Sequence, residues 1–187
     1  MPSSKLALRF TEAAEPITDP VTKFGGQPVW LEEPTWPLSA ETGRPMRFVG
    51  QVRLPGDQPR LAYLFVTDEE DYVDGTWEPA GGENAFFAQP GEPADFYRLA
   101  SIRRGPMFGP DHHAEEVEHS GEFGSRLGGE PEWLQGDEAP DEPGDWKLVL
   151  QLDSSGAPFE LNFGDLGIGY AFLDDKTGQG RFLWQCG

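Results

Sequence analysis

Residues 23–31 of this 187-residue chain read KFGGQPVWL, and residues 126–134 read RLGGEPEWL. A cation begins both copies, and two glycines, a proline, a tryptophan and a leucine occupy the same positions in each. A Gly-Gly pair provides backbone freedom at positive φ, proline stiffens the next turn, and tryptophan anchors that turn in a core. The repeated motif therefore predicts an architecture with two similar halves.

Two apolar runs follow each copy of the motif. They are residues 48–54 and 61–66 after the first copy, and residues 148–153 and 168–173 after the second. The first run of each pair contains a glutamine, Gln51 or Gln151. The spacing of about 100 residues exceeds that of solenoid repeats. We therefore expect one domain spanning residues 1–187, with a pseudo-two-fold internal duplication of sub-repeats at approximately 20–67 and 123–174.

The composition favours short strands. The chain contains 24 Gly and 18 Pro, which interrupt long helices, and 12% aromatic residues, which can fill a core. Further strands are predicted at residues 6–10, 96–102, 159–163 and 181–185, and the best candidate helix at residues 111–119. We expect a mainly β fold, in the sense of a β-rich α+β protein.

The charge of the chain limits its partners. The sequence has 33 acidic residues against 14 Lys and Arg, a formal net charge of −19. Such a charge repels nucleic acid and anionic lipid, so we expect no direct nucleic-acid partner and no membrane partner. It attracts a basic protein and raises the rate of association in a salt-dependent way. Solubility alone is the alternative explanation.

The sequence also predicts a cytoplasmic location. Cys186 is the only cysteine, so no intramolecular disulfide can form, as a reducing compartment permits. Residues 1–10 lack the apolar core of a signal peptide, and no stretch approaches the roughly 20 apolar residues that span a bilayer.

Acidic segments provide the candidate contact residues. Residues 68–95 contain nine carboxylates and residues 130–145 contain seven, with no Lys or Arg in either. Large rings alternate with the charges of the first segment, as at a protein interface, although a solvated loop with inward rings is the alternative. The predicted partner-binding residues are Asp68, Glu69, Glu70, Asp71, Tyr72, Asp74, Trp77, Glu115, Glu116 and Glu118.

Short elements in both halves resemble the YwqG-like domain family of bacteria, from about residue 23 to the end. In the first half they are KFGGQP (23–28), WP (36–37), GRPM (43–46) and FVGQV (48–52). In the second half they are LGGEP (127–131), LQLD (150–153), FGDLGIGY (163–170) and FLWQC (182–186). The family has no agreed catalytic residues, and the resemblance implies an immunity role because some members accompany toxin genes in bacterial competition. The acidic middle of this chain departs from the family pattern.

Other candidate sites carry weaker signals. His112, His113 and His119 lie among carboxylates, but without the His-Glu-x-x-His spacing, so we predict no bound metal and no cofactor. Gly164, Gly167 and Gly169 form a glycine-rich segment that fits either a ligand or a tight β connection. Cys186 is expected to be a core residue, and Asp174 with Asp175 to begin a hairpin turn.

The leading hypothesis is a non-catalytic immunity protein that occludes the active site of a basic, nucleic-acid-degrading toxin, in the manner of a nuclease inhibitor. The alternative is an enzyme or small-ligand-binding protein that uses residues 164–169 or 112–119. A general cytoplasmic regulator is a further alternative.

Overall fold

The computed structural model describes residues 5–121 and 123–187. These residues form twelve strands and one 3-10 turn, Ser154–Gly156. The strands of the first half are β1 Lys5–Glu12, β2 Lys23–Phe24, β3 Trp36–Leu38, β4 Arg47–Arg53, β5 Leu61–Val66, β6 Asn84–Gln89 and β7 Arg98–Ala100. The strands of the second half are β8 His112–His119, β9 Arg126–Leu127, β10 Trp146–Asp153, β11 Ile168–Asp174 and β12 Gly180–Gln185. The mainly β fold class is confirmed.

Two antiparallel sheets dominate the structure. The first has the order β1-β8-β2-β4-β5-β6 and the second has the order β12-β11-β10-β9, while β3 and β7 form a small third sheet. The two large sheets meet at both edges. Phe87 of β6 forms a bridge with Gln179 just before β12, and the amide of Leu8 in β1 donates to the carbonyl of Ser125 next to β9 at 2.7 Å.

Equivalent strands in the two halves pair in the same register. Lys23 of β2 faces Gln51 of β4, as Arg126 of β9 faces Gln151 of β10. The next pair of strands, β4–β5 and β10–β11, shifts register by one residue at Val49 in the first half and at the equivalent valine, 149, in the second. Both sheets therefore contain the same order of strands. A short motif strand, β2 or β9, is followed by two long strands and then by an edge strand, β6 or β12.

The strand glutamines connect each motif to its sheet. The side-chain oxygen of Gln51 accepts the backbone N–H of Val29 at 3.0 Å, and that of Gln151 accepts the backbone N–H of Glu132 at 2.9 Å. Both glutamines are fully buried, so each needs these partners. A second glutamine does the same at the last strand of each half, where Gln89 and Gln185 each accept the N–H of the last motif residue and that of the residue after it.

These last contacts extend the equivalence beyond the predicted sub-repeats 20–67 and 123–174, to β6 and β12. The shared order, register and hydrogen bonds support an internal duplication, which stays a hypothesis about the origin of the chain.

Each motif tryptophan packs on the outer face of its own sheet. Trp30 is stacked on Phe65 with ring centroids 6.1 Å apart, and Trp133 is stacked on Phe172 at 6.0 Å. A tyrosine of the same strand touches each ring, at 5.0 Å for Tyr63 and 4.5 Å for the equivalent residue of β11. The central core lies between the two sheets and contains side chains from both, including Phe24, Val52, Leu64, Phe86, Leu150, Leu152, Phe163, Ala171 and Phe182.

Replacement of either motif tryptophan by alanine is expected to destabilise the protein. Trp30→Ala or Trp133→Ala should lower the free energy of unfolding by about 2–4 kcal/mol, toward the lower end of the range for a buried tryptophan because both rings are partly exposed. Urea denaturation followed by circular dichroism measures this loss. The control Trp77→Ala, whose side chain is 45% exposed, should cost less than about 1 kcal/mol. A similarly small loss for both motif variants would contradict their anchoring role.

Several sequence predictions need correction. The helix at residues 111–119 is wrong, because this segment forms β8, where β1 pairs along its whole length and β2 pairs with its first two residues. Tertiary pairing therefore outweighs the local helix preference of Ala and Glu. Residues 159–163 form no strand, and residues 96–102 contain only the short β7. The strands predicted at residues 6–10 and 181–185 are confirmed within β1 and β12.

Among the described residues, no helix has the length and apolar character to cross a membrane.

Candidate functional site

The segment between β5 and β6 presents the strongest cluster of exposed charge with exposed rings. We define residues 68–78 as the acidic loop. Its exposed carboxylates belong to Asp68, Glu70, Asp71, Asp74 and Glu78. Two large side chains are exposed with them, Tyr72 at 75% and Trp77 at 45%. Among the residues that the structure describes, none of these five carboxylates takes part in a salt bridge.

The acidic loop is held against the second sheet. The indole N–H of Trp184 in β12 donates to the hydroxyl of Thr76 at 3.1 Å, and its backbone N–H donates to the carbonyl of Trp77 at 3.4 Å. The amide of Asn84 donates to the carbonyl of Thr76 at 2.9 Å, and the side chain of Val73 is buried. The loop therefore offers its charges from a defined position, which lowers the entropy lost on binding.

Tyr72 and Asp74 form a local pair on this loop. The Tyr72 hydroxyl donates to the Asp74 carboxylate at 3.3 Å, and the same carboxylate oxygen accepts the backbone N–H of Gly75 at 2.9 Å. The charge of Asp74 raises the pKa of Tyr72. An exposed aromatic ring beside a carboxylate is a suitable anchor for a basic partner.

Glu69 faces inward, unlike its neighbours. Its carboxylate accepts from the hydroxyl of Thr42 at 2.8 Å and from the guanidinium of Arg44 at 3.0 Å, and its side chain is only 10% exposed. These contacts use the carboxylate within the chain. We therefore exclude Glu69 from the candidate contact residues.

A second segment, residues 160–166, adds to this surface. Asp68 and Tyr72 border the same groove as Leu161 and Asn162. Burial raises the pKa of Asp68; the Arg47 charge opposes this shift and the Glu160 charge adds to it. Glu160, Asp165 and Leu166 are exposed, Leu166 at 69%. We define the acidic face as the acidic loop without Glu69, together with residues 160–166.

Sequence reasoning missed Glu160, Asp165 and Leu166 as candidate contact residues. They lie about 90 residues from the acidic loop along the chain, and the fold brings their segment to a groove that Asp68, Glu160 and Gly164 line together. No local pattern in the sequence indicates this proximity.

The structure separates Glu115, Glu116 and Glu118 from the acidic face. Lys23 of β2 pairs with Gln51 of β4 and with His113 of β8, so β4 and β8 run in the same direction. Arg47, whose guanidinium donates to the carbonyl of Asp68, precedes Gln51 by four residues, and Glu116 follows His113 by three. At about 3.3 Å per residue, the two ends are roughly 20 Å apart along the strands. These three glutamates, of which Glu115 pairs with Arg9 at 2.7 Å, are therefore outside the acidic face.

The two alternative ligand segments find little support. In the described residues no group of three or more His, Cys, Asp or Glu side chains is placed to hold a metal, and His112 and His113 are adjacent strand residues that point to opposite faces. A Cβ at Gly164, Gly167 or Gly169 would collide with the side chain of Cys186, the backbone of Phe163 or the ring of Phe182. The collisions give each glycine a packing role, and Gly167 and Gly169 are buried, so neither offers exposed backbone to a ligand.

The predicted turn at Asp174 is confirmed. Its carboxylate accepts from the hydroxyl of Thr177 at 2.6 Å and from the backbone N–H groups of Lys176 and Asp145 at 3.1 and 2.8 Å. The hydroxyl hydrogen bond of Thr177 is the main cause that lowers the pKa of Asp174 to about 2. Asp174 therefore closes the β11–β12 connection and is not poised for acid–base catalysis near neutral pH.

Comparison with known proteins adds no identification. A scan against protein-family models found no match, and a search of curated proteins found no significantly similar sequence. The resemblance to the YwqG-like family therefore stays a prediction.

Proposed function

We propose that this chain is a non-catalytic protein that binds a basic protein through its acidic face. The observation that carries the proposal is the acidic loop itself, where carboxylates without a salt bridge to any described residue flank the exposed ring of Tyr72 and hydrogen bonds to β12 hold the backbone in place. A flexible acidic tail would provide charge without geometry, whereas an anchored loop with a ring can provide both steering and residence time.

The nearest cations do not neutralise this face. The Arg44 guanidinium is paired with Glu69, and that of Arg47 donates to the backbone carbonyls of Asp68 and Met107 at 3.2 and 2.8 Å. Neither guanidinium forms a salt bridge with an exposed carboxylate of the loop, so these carboxylates remain available to cations of another molecule, although the Arg47 charge acts on Asp68. A large, regularly folded protein surface is a better match to them than a small ligand, because charges and rings are spread along the whole loop.

The finer proposal is that the partner is a nucleic-acid-degrading toxin and that this chain is its cytoplasmic immunity protein. Such a toxin must present a basic groove to phosphates, and an acidic face complements that groove. The proposed mechanism is occlusion, in which the acidic face covers the groove that otherwise receives nucleic acid. The resemblance to the YwqG-like family and the net charge of −19 support this proposal.

A competition experiment tests the mechanism. The genes next to that of this chain are searched for a basic toxin domain, and that domain, in a catalytically inactive form, is titrated with fluorescently labelled duplex DNA, with and without the chain. Occlusion predicts that saturating chain abolishes the binding of DNA as well as cleavage by the active toxin. A complex that still binds DNA with unchanged affinity would exclude occlusion. Absence of any complex with that toxin domain would contradict the immunity proposal, and a complex with a basic protein that is not a toxin would favour the regulator.

A further inference from the structure

A cleft of about 660 Å³ opens beside β2. Three segments form its walls, namely residues 12–18 after β1, residues 26–30 of the first motif copy and residues 103–111 before β8. Ile17, Pro28, Trp30 and Met107 contribute apolar lining. The size and the mixture of apolar surface with a few charges are typical of pockets for small molecules.

The inner end of the cleft holds a buried charge. Lys23 is 1% exposed, and its ammonium donates to the carbonyl of Gln27 at 2.6 Å and to the Asp111 carboxylate. A Cβ on Gly26 would collide with that carboxylate, so the second glycine of the motif makes room for Asp111. Burying an ion pair costs desolvation energy, which an apolar pair at the same place would not.

The second copy of the motif provides an internal comparison. There the cation Arg126 faces Glu132 of its own motif, with Nε and Oε1 3.4 Å apart. Glu132 occupies the position of Val29, because both backbones donate to the strand glutamine and both carbonyls accept a tyrosine hydroxyl. The second motif therefore neutralises its cation internally, whereas the first recruits an acid 88 residues away and leaves a cleft next to it.

The outer end of the cleft carries two arginines. Arg103 and Arg104 are exposed, and neither guanidinium has a hydrogen bond or a salt bridge to any residue that the structure describes. The segment that bears them is nevertheless held in place. The Gln27 side chain bonds the carbonyl and the amide of Gly105 at 2.8 and 3.0 Å, and the Trp30 indole donates to the carbonyl of Arg103 at 3.0 Å.

We infer that this cleft binds a small organic acid, with its carboxylate on Arg103 and Arg104 and its apolar body against Trp30, Pro28 and Met107. The guanidinium fork matches a carboxylate, and two such groups without internal partners are available in a chain that has 33 acidic residues. Glu12, Glu15 and Asp111 also line the cleft, which favours a singly charged carboxylate over a doubly charged phosphate. The inference is independent of the proposed protein partner, because no residue that lines the cleft belongs to the acidic face.

The test uses three probes that each contain a phenyl ring: 4-phenylbutyrate, its neutral analogue 4-phenylbutyramide, and phenyl phosphate. Each is titrated into the ¹⁵N-labelled full chain and followed by the amide signal of Gly26 and the indole N–H signal of Trp30. We expect saturable shifts with the carboxylate, and binding of the neutral amide weaker by about tenfold or more because charge-assisted hydrogen bonds are lost.

Variants locate the site. The double variant Arg103→Gln, Arg104→Gln is expected to weaken 4-phenylbutyrate binding by about tenfold or more, because it removes both guanidinium groups. The control Arg98→Gln changes one exposed charge in β7, outside the cleft, and should leave the affinity unchanged. Val29→Glu, which imitates the second motif copy, should abolish binding by adding a carboxylate beside Lys23.

Three results would overturn the inference. They are the absence of a saturable shift with 4-phenylbutyrate, equal affinities for the acid and the amide, and undiminished binding by the variant Arg103→Gln, Arg104→Gln. Both arginines are exposed, so this double variant should fold even if Val29→Glu does not. Saturable binding of phenyl phosphate alone would overturn the assignment to carboxylates.

Discussion

The triple variant Glu70→Lys, Asp71→Lys, Asp74→Lys is expected to associate with a basic partner about 100-fold more slowly than the parent at low salt, because electrostatic steering can change association rates by 10–10³. All three carboxylates are exposed on the acidic loop, and none has a salt bridge among the described residues. The difference should shrink near 1 M salt, where the Debye length falls to about 3 Å. Surface plasmon resonance with the partner immobilised, over a range of salt concentrations, measures this rate.

The matched control is Glu115→Lys, Glu116→Lys, Glu118→Lys. It changes the net charge by the same amount at the opposite end of the first sheet. Of the salt bridges between described residues it breaks only the exposed Arg9–Glu115 pair, which contributes little to stability. A local acidic face predicts a much smaller effect for the control. Equal slowing by both triple variants would show that total charge, and not the acidic loop, attracts the partner.

The second large effect is expected at Tyr72. Replacement by alanine should raise the dissociation rate constant by about 30-fold or more, the range of a binding hot spot, because the ring is the most exposed large aromatic side chain of the loop. Association should change little, since no charge is lost. The same kinetic experiment yields both constants.

Protein stability provides the control for this variant. A side chain that is 75% exposed packs little within the chain, so Tyr72→Ala should leave the free energy of unfolding within about 0.5 kcal/mol of the parent. Tyr72→Phe should retain most of the affinity, because it loses only the hydrogen bond to Asp74. Unchanged dissociation in Tyr72→Ala would place the contact elsewhere.

The motif copies show how far local sequence can predict this fold. The Gly-Gly-x-Pro-x-Trp spacing requires positive φ at both glycines, and the structure has it at Gly25, Gly26, Gly128 and Gly129. The apolar runs that contain Gln51 and Gln151 correctly indicate strands, and both glutamines hold their own motif to the sheet. These features depend on residues close in sequence and on backbone geometry, so they are predictable.

The segment 112–119 shows the opposite case. Its Ala and Glu residues favour a helix, yet β1 and β2 supply strand partners for its backbone, and these partners lie roughly 90–110 residues earlier in the chain. A preference of a few tenths of a kcal/mol per residue cannot oppose a full set of interstrand hydrogen bonds. The local sequence pattern of residues 112–119 does not show that distant strands will pair with this segment.

By itself, the sequence determined the β-rich fold, the two similar halves, the strong negative charge and the candidate acidic segment, because composition and short-range spacing control all four. Only the tertiary structure decided which charges are available: it turns Glu69 inward to Arg44, moves Glu116 to the far end of the sheet and brings Glu160 beside Asp68. It likewise joins Lys23 to Asp111 across 88 residues and holds Arg103 and Arg104 at the cleft. The physical reason is that hydrogen bonds and ion pairs act over a few ångströms in space, and chain folding, not sequence distance, decides which groups come within that range.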